Sequence, residues 1–139
     1  MNRQFPLAGL LRLRRLEQDQ AAAHFGAVNA QLRAAAGRQD NALAESERSP
    51  SEVGDSGALR AVAAARAASA SMLAELQALT SLAEAEAQQA LQDLGAARAR
   101  TLGLEKLEAR HGAEFAAAEL VAEQNVLDEL SSARRGVIG

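Results

Sequence analysis

The sequence has no cysteine, no tryptophan and no tyrosine, and only two prolines. Each scarcity excludes something. Without cysteine there is no disulfide framework and no thiolate metal site, which fits a reducing compartment. The only aromatic residues are Phe5, Phe25 and Phe115, and a globular core of ordinary density needs more large side chains than that. No apolar run approaches the ~18 residues of a membrane span. The opening Phe5-Pro6-Leu7 stretch meets Arg12, Arg14 and Arg15 too early for a secretory signal. The expectation is a cytoplasmic protein.

Proline lacks an amide donor and clashes with the preceding turn, so it starts or ends helices. Pro6 stands near the N-terminus and Pro50 in a stretch containing Ser49, Glu52, Gly54, Asp55, Ser56 and Gly57, and the 89 residues from Ser51 to Gly139 contain none. Alanine supplies about a quarter of the residues and leucine about a seventh, and both are strong helix formers. Such a composition with few aromatics reads as coiled coil. The fold expected is all-α: one domain over residues 1–139, a long two-helix antiparallel coiled-coil hairpin with a longer second helix. Helix one is expected over about 7–47, the turn over about 48–57, and helix two over about 58–134.

Local patterning refines this. Pro6 suits a first helical turn, and Leu7, Leu10, Leu11, Leu16, Phe25, Val28, Leu32 and Leu43 fall broadly on one side. Phe25, Val28, Leu32 and Ala35 keep the 3-4-3 spacing of a coiled-coil seam. Ser49 and Glu52 have capping-box spacing around Pro50, and Ser56 reads as the N-cap of helix two. Leu59, Val62, Arg66, Ser69, Leu73 and Leu76 hold heptad spacing, as do Leu91, Leu94, Leu120, Leu127 and Leu130 in shorter stretches. Alanine-rich gaps and Gly95, Gly103 and Gly112 interrupt that register and predict bends. At ~1.5 Å per residue the helices measure roughly 60 and 110 Å. A tight hairpin then lets helix one cover Ala58 to Arg98 only. Ala99 to Arg135 would project with an uncovered apolar stripe, the kind of surface a partner covers. A seam of alanines contributes little per layer, so weak self-association is expected as well.

The net charge of −3 is unevenly spread. Residues 1–38 hold six arginines against Glu17 and Asp19, giving +4, so the remainder carries −7. The densest basic patch is Arg12-Leu13-Arg14-Arg15-Leu16-Glu17. It reads either as a solvated helix face or as a dock for an acidic protein surface. Nucleic acid is not an expected partner, since the chain is acidic and lacks aromatics to stack on bases. His24 and His111 stand alone, with no second ligand at metal-site spacing, and the ten glycines never form a phosphate loop. Neither catalysis, a cofactor nor a metal is expected.

Two further stretches carry a resemblance: Lys106-Leu107-Glu108-Ala109-Arg110, and Glu123-Gln124-Asn125-Val126-Leu127-Asp128-Glu129. With Phe5, Leu10, Leu11, Arg12, Arg14 and Glu17 near the other end, the chain resembles the flagellar FliJ family in the order and position of its terminal motifs. Its middle matches only as alanine-rich helix. The resemblance implies a non-enzymatic component of the flagellar type III protein export apparatus. FliJ-like proteins are similar to the central stalk of rotary ATPases: they insert into the hexameric export ATPase, stimulate it, and contact the export-gate membrane protein and export chaperones. That places the protein at the cytoplasmic face of the inner membrane, with no span of its own. Carried residue by residue, the resemblance assigns Arg12, Arg14 and Glu17, and with them the neighbouring Arg15, together with Glu123, Gln124, Leu127, Asp128 and Glu129, to the ATPase-facing end. With no aromatic between Phe25 and Phe115, a gate-binding surface is not assigned.

A structural coiled-coil scaffold or tether with no ATPase partner explains the composition equally well, but leaves the terminal motifs without a role. The stalk of a virulence secretion system shares the same physics.

Overall fold

In a computed structural model of the protein, residues 4–48 and 54–138 are described. Ser49, Pro50 and Glu52, on which the expected turn and capping box rest, lie outside them. Helix α1 spans Ala8–Glu47 (40 residues) and α2 spans Ser56–Ile138 (83 residues), with no strand among the described residues. This is the all-α pair with a longer second helix that the composition demands. The chain forms two compact units: a first of residues 1–18 with 97–139, and a second of residues 19–96.

The start of α2 differs in detail from expectation. Ser56 is the first helical residue, and the cap is Asp55, whose Oδ1 accepts the Ala58 amide hydrogen at 2.6 Å. At the far end of α1, the Arg48 guanidinium Nε donates at 3.3 Å to the Ala44 carbonyl, which also accepts the Arg48 amide hydrogen at 3.2 Å.

In the second unit, Val28 packs on Ala87 and Ala90, with Phe25 and Leu32 against the same cluster. A groove is lined by Phe25, Asn29 and Leu32 from α1 and by residues between Ser81 and Leu91 from α2, while Ala42, Glu45 and Ser46 share another with Ser69 and Met72. Numbers rise on one helix as they fall on the other, so the helices are antiparallel. The expected seam of Phe25, Val28, Leu32 and Ala35 is the one observed, with Val28 and Ala35 buried.

The register departs from a tight hairpin. The last turns of α1 lie beside Ser69 and Met72 rather than beside Ala58, and from Ser56 to Ala68 only Ala58 and Val62 are even half-buried. This offset sets the large seam residues of α1 against alanines of α2. Large against small fills the space between two helices, whereas large against large would force them apart.

In the first unit, Leu11 is the most enclosed side chain, at 1% exposure. Thr101 of α2 is buried, and its Oγ1 shares a hydrogen between the Ala97 carbonyl at 3.1 Å and the Arg14 carbonyl of α1 at 3.2 Å. The Phe5 ring, just ahead of α1, lies against His111 with centroids 5.7 Å apart. Here too the helices run antiparallel. The projecting segment was expected to begin at Ala99, and this is corrected: α1 and Phe5 accompany α2 to His111, and the half-buried positions Phe115 and Ala118 follow. The same offset of α1 along α2 is the reason.

The expectation of an interrupted register on α2 is also corrected. The inward positions of the second unit are Ser69, Leu73, Leu76, Thr80, Ala83, Ala87, Ala90 and Leu94, and the 3-4 alternation holds throughout. In the first unit Ala97, Thr101, Leu104, His111, Phe115 and Ala118 obey it too, with Glu108 the one exposed position in the series. Alanine and threonine occupy the layers that a search for leucine leaves blank. Gly95, Gly103 and Gly112 are exposed and off the seam. Each costs ~1 kcal/mol of helix propensity, but none removes a packing contact, and α2 continues through all three.

Candidate functional site

Small residues inside leave the large apolar ones outside. In the first unit Leu13 and Leu16 of α1 are 48% and 53% exposed. They interleave with Arg12, Arg14 and Arg15, so the basic patch is a mixed surface of leucine and arginine. Its three arginines are engaged differently. Arg14 forms an ion pair with Glu17 at 2.9 Å along one face of α1. Arg15 reaches across to Glu105 of α2 at 3.4 Å. Arg12 is exposed and pairs with no carboxylate among the described residues. Pairs this near the surface contribute about 0–1 kcal/mol, so Arg14, half-buried, and Arg15, exposed, can exchange their carboxylates for those of a partner at small cost.

The second set of expected site residues lies farther along α2. Every residue from Glu119 to Val137 is exposed, including Leu120, Val121, Val126, Leu127 and Leu130 at 55–66%. Glu123, Gln124, Leu127, Asp128 and Glu129 all fall in this bare stretch, where the Gln124 amide donates to Asp128 Oδ1 at 3.2 Å. A shallow depression runs beside Ala122, Glu123, Val126 and Leu127.

The two sets are not brought together. Arg14 and Arg15 face Thr101 and Glu105, and eighteen residues of helix separate Glu105 from Glu123, about 27 Å at 1.5 Å per residue. They form two surfaces of one unit, a basic one on paired helices and an acidic-apolar one on a single helix. Sequence reasoning missed Glu105 as the cross-helix partner of Arg15, and His111 as the seat of Phe5. The available signal was the heptad itself: carrying it through alanine places His111 in the seam.

Among the described residues no group of three or more acidic or histidine side chains is placed to hold a metal ion, and no helix is long and apolar enough to cross a membrane.

A family model described as flagellar FliJ protein matches residues 3–136, nearly the whole chain and both of its units. The chain belongs to the flagellar FliJ family. No curated protein and no solved structure gives a significant match. Family membership gives the protein a role in flagellar export and takes the flagellar reading over the virulence one. The matched span includes the Leu-Arg patch of α1, the Lys106–Arg110 stretch and the bare Glu119–Val137 segment.

Proposed function

We propose that the protein is the central stalk of the flagellar export ATPase: a non-enzymatic rod that inserts into the hexameric ring, stimulates hydrolysis, and links the ring to the export gate and to export chaperones on the cytoplasmic face of the membrane. The observation that carries this reading is the bare segment of α2. Eighteen consecutive residues, Leu120 to Val137, are all exposed, and several leucines and valines stand among them. Such a surface on a family member of flagellar export suits insertion into a socket.

An asymmetric helix offered to a symmetric ring contacts only some subunits favourably at one time. Contacts that favour one subunit conformation shift the ring's population by the difference in affinity between conformations. The Leu13–Leu16 surface with Arg12, Arg14 and Arg15 supplies a second point of attachment, for an acidic rim. No group of the chain takes part in the hydrolytic chemistry.

The test is hydrolysis by the cognate export ATPase with the protein added. Wild type raises the rate. The truncation ending at Ala118 abolishes the rise yet keeps the helicity of α1 and of α2 up to Ala118 by circular dichroism, because every residue from Leu120 to Val137 that it removes is exposed. Charge reversal at Arg12, Arg14 and Arg15 weakens the rise. An unchanged rate with saturating wild-type protein overturns the proposal and leaves the scaffold reading.

A further inference from the structure

We infer that the bare end of α2 pairs with the same segment of a second copy, antiparallel, about a two-fold axis between Asp128 and Glu129. The seam that faces α1 ends as an apolar stripe at Ala118; carried onward, its register meets Ala122, Asn125, Glu129 and Ser132. The apolar residues have moved to another face. Leu120, Glu123, Leu127, Leu130, Arg134 and Val137 follow one another at spacings of 3, 4, 3, 4 and 3, which is a new coiled-coil seam. Its four apolar members are 60–87% exposed.

The order along this seam is self-complementary. Turned end for end about the midpoint of Asp128 and Glu129, Leu127 meets Leu130 of the second copy, Leu120 meets Val137, and Glu123 meets Arg134. An isologous contact requires this reciprocity. The two charged members carry opposite signs, and neither has an ion partner among the described residues. Eleven residues, about 16 Å of helix, separate them, so they do not pair within one chain. A parallel pair would set Glu123 on Glu123 and Arg134 on Arg134, and like charges across a seam select against that arrangement. Asp128 and Glu129 point away from the seam, and the flanking positions Gln124, Val126, Ser131 and Ala133 are uncharged.

The proposal stands apart from the ATPase reading, although a second copy and a ring would compete for Leu120, Leu127 and Leu130. It is tested with no ATPase present, so the two fail separately. In sedimentation equilibrium, the full chain shows a concentration-dependent dimer at up to about 1 mM, the affinity range of a small interface. E123R and R134E each weaken it by about tenfold or more, with helicity unchanged by circular dichroism, and the E123R/R134E double variant recovers the wild-type affinity to within a few-fold. In a chain without native cysteine, mixed L120C and V137C proteins form a disulfide with each other. A monomer at every concentration, a double variant as weak as either single one, or disulfides formed chiefly between two L120C chains would overturn it.

Discussion

The most incisive perturbation is Leu11→Ala, set against Leu120→Ala. Both remove the same atoms from a helical leucine, at 1% exposure in one case and 66% in the other. Three carbons at ~0.8 kcal/mol each make Leu11→Ala cost about 2.4 kcal/mol, close to a fiftyfold change in the folding equilibrium. A cavity in a closed core would add to this. Between only two helices water reaches the gap from both sides, so the cost stays near the transfer value. Leu120→Ala removes little buried area, and its expected cost is within 0.5 kcal/mol. Urea unfolding followed by circular dichroism measures both, at low protein concentration so that association does not contribute. An equal m-value in variant and wild type licenses the comparison. Equal costs for the two variants, or a Leu11→Ala cost under ~1 kcal/mol, would refute the assignment of Leu11 to the interior and of Leu120 to a bare face.

Four further outcomes are expected. Asp55→Ala removes the acceptor of the Ala58 amide and lowers stability by about 1 kcal/mol, read as a lower urea midpoint. Thr101→Val keeps the shape but removes the hydroxyl shared between Ala97 and Arg14, costing about 0.5–1.5 kcal/mol, with faster amide exchange around residues 8–18. Gly103→Ala and Gly112→Ala, where an added methyl meets nothing within 4 Å, each raise stability by up to about 1 kcal/mol and thereby raise the melting temperature. Arg15→Ala breaks an ion pair that is about half exposed and changes the urea midpoint by less than its equivalent of 1 kcal/mol, so a larger loss of ATPase stimulation by this variant would report on the partner.

The sequence makes some of this legible and hides the rest for identifiable reasons. Phe25, Val28, Leu32 and Ala35 announce their seam because β-branched, aromatic and leucine side chains stand out among alanines. On α2 the same alphabet is ambiguous: alanine is at once the commonest filler of a helix and the residue that occupies inward layers at Ala87, Ala90 and Ala97. Leucine is an uneven marker, since Leu59 and Leu91 are about half exposed or more while Leu73, Leu76 and Leu94 face inward. The offset between helices was hidden because it depends on matching Val28 to Ala87 and Ala90, a property of two segments and not of either one. The basic and acidic stretches stand out by residue type, but their separation along α2 follows from that offset alone.

The alanine and threonine layers have a thermodynamic consequence of their own. A buried leucine gives up ~0.5–1 kcal/mol of rotamer freedom, whereas alanine gives up none. Pairing through small residues therefore gains little and loses little at each such layer, and within each unit the association of α1 with α2 is shared among many layers. Leu11 in the first unit and Leu94 in the second, at 1% and 3% exposure, are the leucines most fully enclosed. The chain keeps its order by number, and its adhesive side chains remain on the outside.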